Sequence, residues 1–149
     1  MAIISFEKIA PDGMGGVVPD GFRRLNWDNF VAIDNEYLES LVGNTNAIRT
    51  GEAAAINEAR SISFKSFDRD DDFDLNNGYF TALIADSLAD NIMVKVLGFD
   101  DGERVAKKVL TLETNQEFVR FGPHFDDIDE VRFTVKTDST FGIDDLFVA

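Results

Sequence analysis

The chain has no cysteine among its 149 residues. Thiol redox chemistry, zinc-thiolate sites and disulfide staples are thereby excluded. The fold must rest on its own core, and a chain of this length can bury roughly two-thirds of its unfolded surface. Basic residues are scarce: 14 Lys and Arg stand against 28 Asp and Glu, for a formal charge of −14. Such a field repels nucleic-acid phosphates and anionic lipid, so no nucleic-acid partner is expected. No apolar run approaches the roughly 18 residues of a membrane span, which argues against membrane insertion. The opening residues 1–7 also lack the basic start and long apolar stretch of a signal peptide.

Tyrosine and tryptophan are few, two and one against fourteen phenylalanines, so the aromatics serve packing more than polar contact. The lone histidine, His124, lies in Gly122-Pro123-His124-Phe125-Asp126-Asp127 with no nucleophile beside it. Without a Ser-His-Asp spacing, a nucleophile elbow or a paired-histidine motif, it reads as a surface turn and no catalytic residue is assigned.

What the chain does contain is a succession of short alternating segments. Residues 3–7, 31–33, 61–67, 79–85, 91–99, 103–112, 116–121, 131–136 and 141–148 carry strand signals about every ten residues. Asp100-Asp101-Gly102 between two of them is a hairpin turn, because both central positions tolerate positive φ. Asn76-Asn77-Gly78 reads as a second turn. Residues 10–21, with four glycines and two prolines, read as an irregular loop. Residues 34–51 show little periodicity and read as loop with a short strand near 46–48. Residues 52–60 are rich in helix formers and read as a two-turn helix, but they lack a cap, so tertiary context can pull them into a strand. With no long amphipathic helix and no repeat, the expectation is an all-β fold, an antiparallel β-sandwich over residues 1–149 as a single domain.

Two acidic stretches stand out. Asp68-Arg69-Asp70-Asp71-Asp72-Phe73-Asp74 imitates the start of an EF-hand loop, but the sixth position counted from Asp70 is Leu75 and the twelfth is Thr81. An EF-hand needs Gly and Glu there, so the run reads as a solvated turn with at most weak calcium affinity. Asp144-Asp145 is different, because it interrupts the apolar alternation of Phe141-Gly142-Ile143-Asp144-Asp145-Leu146-Phe147-Val148. A strand sends neighbours to opposite faces, so one of the two acids must enter an apolar environment unless a bulge turns it. A buried carboxylate needs a cation or hydrogen-bond donors. Glu7, at the end of the first strand, is a co-ligand if the two ends of the chain lie side by side. Calcium, a hard cation taking oxygen ligands, is then the expected metal, with backbone amides as the competing explanation.

These motifs together resemble a group of secreted or surface β-sandwich domains. The resemblance rests on Ile4-Ser5-Phe6-Glu7, on residues 18–30 with Trp27-Asp28-Asn29-Phe30, on Gly98-Phe99-Asp100-Asp101-Gly102, and on Phe141-Gly142-Ile143-Asp144-Asp145-Leu146. It implies a jelly roll similar to carbohydrate-binding modules, in which an opening acid and a closing aspartate contribute to a structural calcium site. Carried over by position these are Glu7 and Asp144, with Asp145 where the pattern often has Asn. Trp27, Asp28 and Asn29 are the candidate ligand-contacting residues, although the rule that large aromatics are highly buried favours Trp27 as a core plug. Arg23-Arg24, where a glycine is usual, departs from the pattern.

The resulting expectation is a noncatalytic, calcium-stabilised binding or adhesion module, secreted or at the cell surface, that engages a glycan. A small glycan hydrolase using paired carboxylates, and a structural domain pairing through an edge strand, are the alternatives.

Overall fold

The structure is a computed structural model that describes residues 2–7, 9, 15–42, 45–49, 53–57, 65–83, 91–135 and 140–149. Its strands in chain order are β1 (Ala2–Ile4), β2 (Gly15–Val17), β3 (Asn26–Asp28), β4 (Phe30–Asp34), β5 (Ala53–Asn57) and β6 (Lys65–Phe73). They continue with β7 (Leu75–Ala82), β8 (Ile92–Asp100), β9 (Glu103–Leu112), β10 (Glu117–Arg120), β11 (Ile128–Thr134) and β12 (Phe141–Val148). One helix, α1 (Asn35–Val42), follows β4.

Two antiparallel sheets form the expected β-sandwich. The first runs β10-β7-β12-β5-β4-β2, with β1 also paired to β12, and the second runs β3-β6-β11-β8-β9. Between β3 and β4 the chain crosses from one sheet to the other at a single residue. β3 belongs to the second sheet and β4 to the first, and Asn29 between them takes a φ of 63°. Asn tolerates this left-handed backbone better than most residues.

Phenylalanine fills the space between the sheets. Edge-to-face contacts run from Phe6 to Trp27 (5.4 Å), Trp27 to Phe30 (5.8 Å) and Phe30 to Phe133 (5.7 Å). Further contacts join Phe133 to Phe80, Phe80 to Phe121 and Phe121 to Phe125. Each such pair adds about 0.5–1.5 kcal/mol beyond its buried area, so the aromatic spine is a main source of stability.

The outer face of the first sheet is covered in turn. Leu38 of α1 and Ala47 pack with Ile33 and Ala54 into a second small core. The Asp34 carboxylate caps the helix by accepting a bond from the Tyr37 amide at 2.9 Å.

The Asp100-Asp101-Gly102 hairpin forms as expected, with φ of 49° at Asp101 and 81° at Gly102. Other expectations are corrected. The helix expected over 52–60 is, in its described part, strand β5. Ala53, Ala54 and Ala55 are buried in it, and the backbone pairs with β12 on one side and β4 on the other. Two ladders of hydrogen bonds in a crowded layer outweigh a helix propensity worth only tenths of a kcal/mol per residue. Residues 34–51 contain α1 where loop was expected, and 46–47 form a turn in place of a strand. The acidic run 68–74 lies mostly in β6 instead of forming a turn. Asn76-Asn77-Gly78 lies within β7, where Gly78 lets Leu146 approach closely: a Cβ there would meet Leu146 Cδ1 at 2.9 Å. Residues 61–64 and 84–85 of the expected strands lie outside the described residues.

Candidate functional site

Strand β12 sits centrally, with β7 along one side. Its other side is shared: β5 pairs with Gly142 and Ile143, and β1 pairs with Leu146, Phe147 and Val148. The register with β7 shifts between Asp144 and Phe147, and Asp145 has a φ of 46°. A bulge therefore turns the acidic pair, and this keeps Ile143 and Leu146 both in the main core.

Asp144 has no exposed surface. Its Oδ2 accepts a hydrogen bond from the Arg49 amide at 2.7 Å and its Oδ1 accepts one from the Asp145 amide at 2.9 Å. Glu7, in the turn after β1, places Oε1 3.3 Å from the Ala53 amide. The acid near the end of the chain thus accepts from the Arg49 amide and the acid near its start from the Ala53 amide.

The donor chemistry suits a hard cation, since the carboxylates supply only oxygen. Thr81 adds a buried hydroxyl that has no hydrogen-bond partner among the described residues. It pairs with Gly142 while Tyr79 pairs with Asp144, so by strand alternation Thr81 and Asp144 share a sheet face. Glu7, Asp144 and Asp145 do not gather three carboxylate oxygens within 4.8 Å of one another. An ion held by Glu7 and Asp144 would take its remaining ligands from backbone carbonyls or water.

Among the described residues, the group that does reach that spacing is Asp72, Asp100 and Asp129. It stands at the β8–β9 hairpin, where the Asp101 amide donates to Asp129 Oδ2 at 3.1 Å. Burial, followed by repulsion from Asp101, Asp72, Asp129 and Asp127, pushes the Asp100 carboxyl above its ordinary value. The sequence pointed to Asp72 through its acidic run. It gave no sign of Asp100 and Asp129, which only the register of β11 with β8 and β6 brings near.

Trp27 is 6 % exposed, wedged among Phe6, Phe22 and Phe30, and its indole N–H donates to the Phe22 carbonyl at 2.9 Å. It is the core plug of its two sequence readings, and its ring offers no open face to a sugar. Asp28 is exposed and Asn29 half-buried beside it. His124 is exposed in a 3-10 turn over Pro123–Phe125.

A surface feature escaped the sequence reading. Phe118 of the edge strand β10 is 43 % exposed and stacks on Tyr79 of β7, with ring centroids 5.2 Å apart. The Arg49 guanidinium lies 4.8 Å from the Tyr79 ring centre, while the same residue's amide holds Asp144. The buried acid and the aromatic pair are therefore linked through one residue. The signal available in the sequence was Phe118 on the polar phase of a short alternating strand.

No protein-family profile matches the chain, and no curated protein matches it. Among solved structures, a DUF4465 family protein from Bacteroides caccae superposes with a TM-score of 0.71 at 12 % identity, over 99 % of this chain and 98 % of that one. Two carbohydrate-binding modules align more loosely. One, TmCBM61 in complex with beta-1,4-galactotriose, gives a TM-score of 0.38 at 12 % identity over 85 % of this chain and 86 % of its own. The other, a CBM4 module, gives 0.38 at 14 % identity over 83 % and 87 %. The chain shares the antiparallel β-sandwich of the DUF4465 family protein over nearly its whole length.

Proposed function

We propose that this chain is a noncatalytic binding module, stabilised by calcium at Glu7 and Asp144, that engages carbohydrate outside the cell. The observation that carries the reading is the complete burial of the Asp144 carboxylate, with Glu7 and Asp144 accepting from the amides of Ala53 and Arg49. A buried carboxylate among apolar neighbours is costly unless its charge is compensated, and a calcium ion compensates it while tying the two ends of the chain together. Asp145, turned by the bulge, stands beside this place as a further oxygen source. An acidic, cysteine-free chain also suits export in an unfolded state through a calcium-poor compartment, with folding on arrival where calcium is plentiful.

Carbohydrate is supported by exposed Phe118, stacked on half-buried Tyr79. Apolar rings presented on a sheet face match the C–H faces of pyranose sugars, and Phe118 at the edge leaves room for a chain to pass. Trp27 contributes by holding Asp28 and Asn29 in place from beneath. A glycan array probed with calcium present tests the reading. Retention on one family of glycans, lost on Phe118→Ala substitution, is the expected result. Absence of any binding by the folded, calcium-loaded chain sinks it.

A further inference from the structure

Charge is spread unevenly over this surface. Acids outnumber bases two to one in the chain as a whole. Between the edge strands β9 and β10 the balance reverses. Two hollows of about 370 and 460 Å³ meet there at Lys108, and their charged lining is Lys107, Lys108 and Arg120 against Glu117 alone, with His124 at one end. Phe118 forms part of the wall, and the Arg120 guanidinium lies 5.6 Å from its ring centre. The row Arg49, Tyr79, Phe118, Arg120 thus sets two stacked rings between a cation at either end and leads from the outer face of the first sheet into the trough.

We propose that this row and trough bind a polyuronate, a glycan bearing a carboxylate on each sugar, with the pyranose face on Phe118 and carboxylates on Arg120 and Lys108. The proposal rests on the carbohydrate reading above and specifies its ligand class. Each unit of such a polymer offers an apolar C–H face and an anionic group side by side, which is the pairing this surface presents. A guanidinium is suited to a planar carboxylate because it can donate two parallel bonds, and one stacked on a ring is already oriented to do so. An acidic peptide would instead be expected to add to the β9 or β10 edge through its main chain and would leave the rings unused. The acids of the β8–β9 hairpin do not abolish the attraction. Glu103 at that end is four residues from Lys107, roughly 14 Å along an extended strand, beyond the ~8 Å screening length at physiological salt.

Calorimetric titration of the full chain with three probes tests this: a short oligogalacturonate, the same oligomer with its carboxyls reduced to alcohols, and poly-glutamate. The expected result is binding of the oligogalacturonate that weakens with added salt. Carboxyl reduction, Arg120→Ala and Phe118→Ala should each reduce it at least about tenfold, a change of about 1.4 kcal/mol. Thermal melts should show both variants folded, Arg120→Ala matching the parent and Phe118→Ala lowered by only a few degrees for the lost contact with Tyr79. Equal affinity for the reduced oligomer overturns the uronate assignment while leaving the carbohydrate reading standing. Binding of poly-glutamate alone overturns both, and binding of none of the three overturns the proposal.

Discussion

Asp144→Asn replaces one oxygen of a fully buried carboxylate by a nitrogen of nearly the same size, so it changes charge while sparing packing. Two outcomes separate cleanly. If the carboxylate serves only the Arg49 and Asp145 amides, the substitution removes one of two charge-assisted bonds, about 1.5–3 kcal/mol, and the loss is the same with or without calcium. If the carboxylate also holds calcium, the parent protein gains stability from the ion and the variant does not. Extracellular modules bind calcium with dissociation constants near 0.1–1 mM, so about 10 mM calcium reaches roughly a hundred times the tighter value. Saturation of that order adds about 2.7 kcal/mol. For a domain of this size 1 kcal/mol shifts the midpoint by roughly 2–4 °C, which gives a rise of about 5–10 °C. Differential scanning calorimetry in EGTA and in calcium, on parent and variant, measures all four midpoints. A parent midpoint that does not move with calcium, or a variant that keeps the whole increment, refutes the calcium assignment.

Further predictions concern the frame around that acid. Gly142→Ala would place a Cβ 2.7 Å from Ala47 Cβ and 3.1 Å from Leu83 Cδ1, so it should destabilise by about 1–3 kcal/mol in denaturant titration; a neutral result would mean the outer layer is loosely seated. Asn29→Val forces a branched residue to a φ of 63° and should cost at least about 1–2 kcal/mol, whereas Asn29→Gly, which accepts that backbone and loses only the side chain's contacts, should cost less; equal effects would remove the crossing-point argument. Asp100 has a folded pKa raised above its ordinary 3.8 by burial and neighbouring acids. Its favourable contribution is therefore complete below that ordinary value and lost as pH rises through the raised one. Asp100→Asn should raise the melting midpoint at neutral pH, with the gain disappearing below about pH 4; a gain that is constant with pH contradicts the repulsion.

The sandwich was legible because its strands alternate: Val94 and Val96 are buried while Met93 and Lys95 between them are exposed, as the pattern of residues 91–99 requires. The hairpin at Asp101-Gly102 was legible because its chemistry is local. Ala53-Ala54-Ala55 misled, since alanine has high helix propensity yet is also what a strand needs when both its faces are crowded; that crowding comes from α1, Ala47 and the aromatic core, all outside the local pattern. Asn76-Asn77-Gly78 misled for a related reason. Its glycine answers to the approach of Leu146 instead of to a turn. At the candidate site, the need for something to satisfy Asp144 was readable from the strand pattern, and the structure adds that the Arg49 and Asp145 amides do so. The Arg49, Tyr79, Phe118 and Arg120 row was not readable, because three separate segments contribute to it.

The pairing of β1 with β12 also fixes how the molecule bears a mechanical load. Ala2 lies opposite Val148, so tension applied across the two ends pulls both strands from the same end. Antiparallel neighbours loaded in that way open like a zipper, one pair at a time, and Ala2, Ile3 and Ile4 would part from Val148, Phe147 and Leu146 in turn. β12 is retained by β7 on its other side, so β1 is the strand that peels. The pull would then arrive at Phe6, under Trp27, and at Glu7, where the contact with Ala53 is the next anchor to resist it. In a tethered setting the Glu7–Ala53 contact would set the force at which the sandwich starts to open.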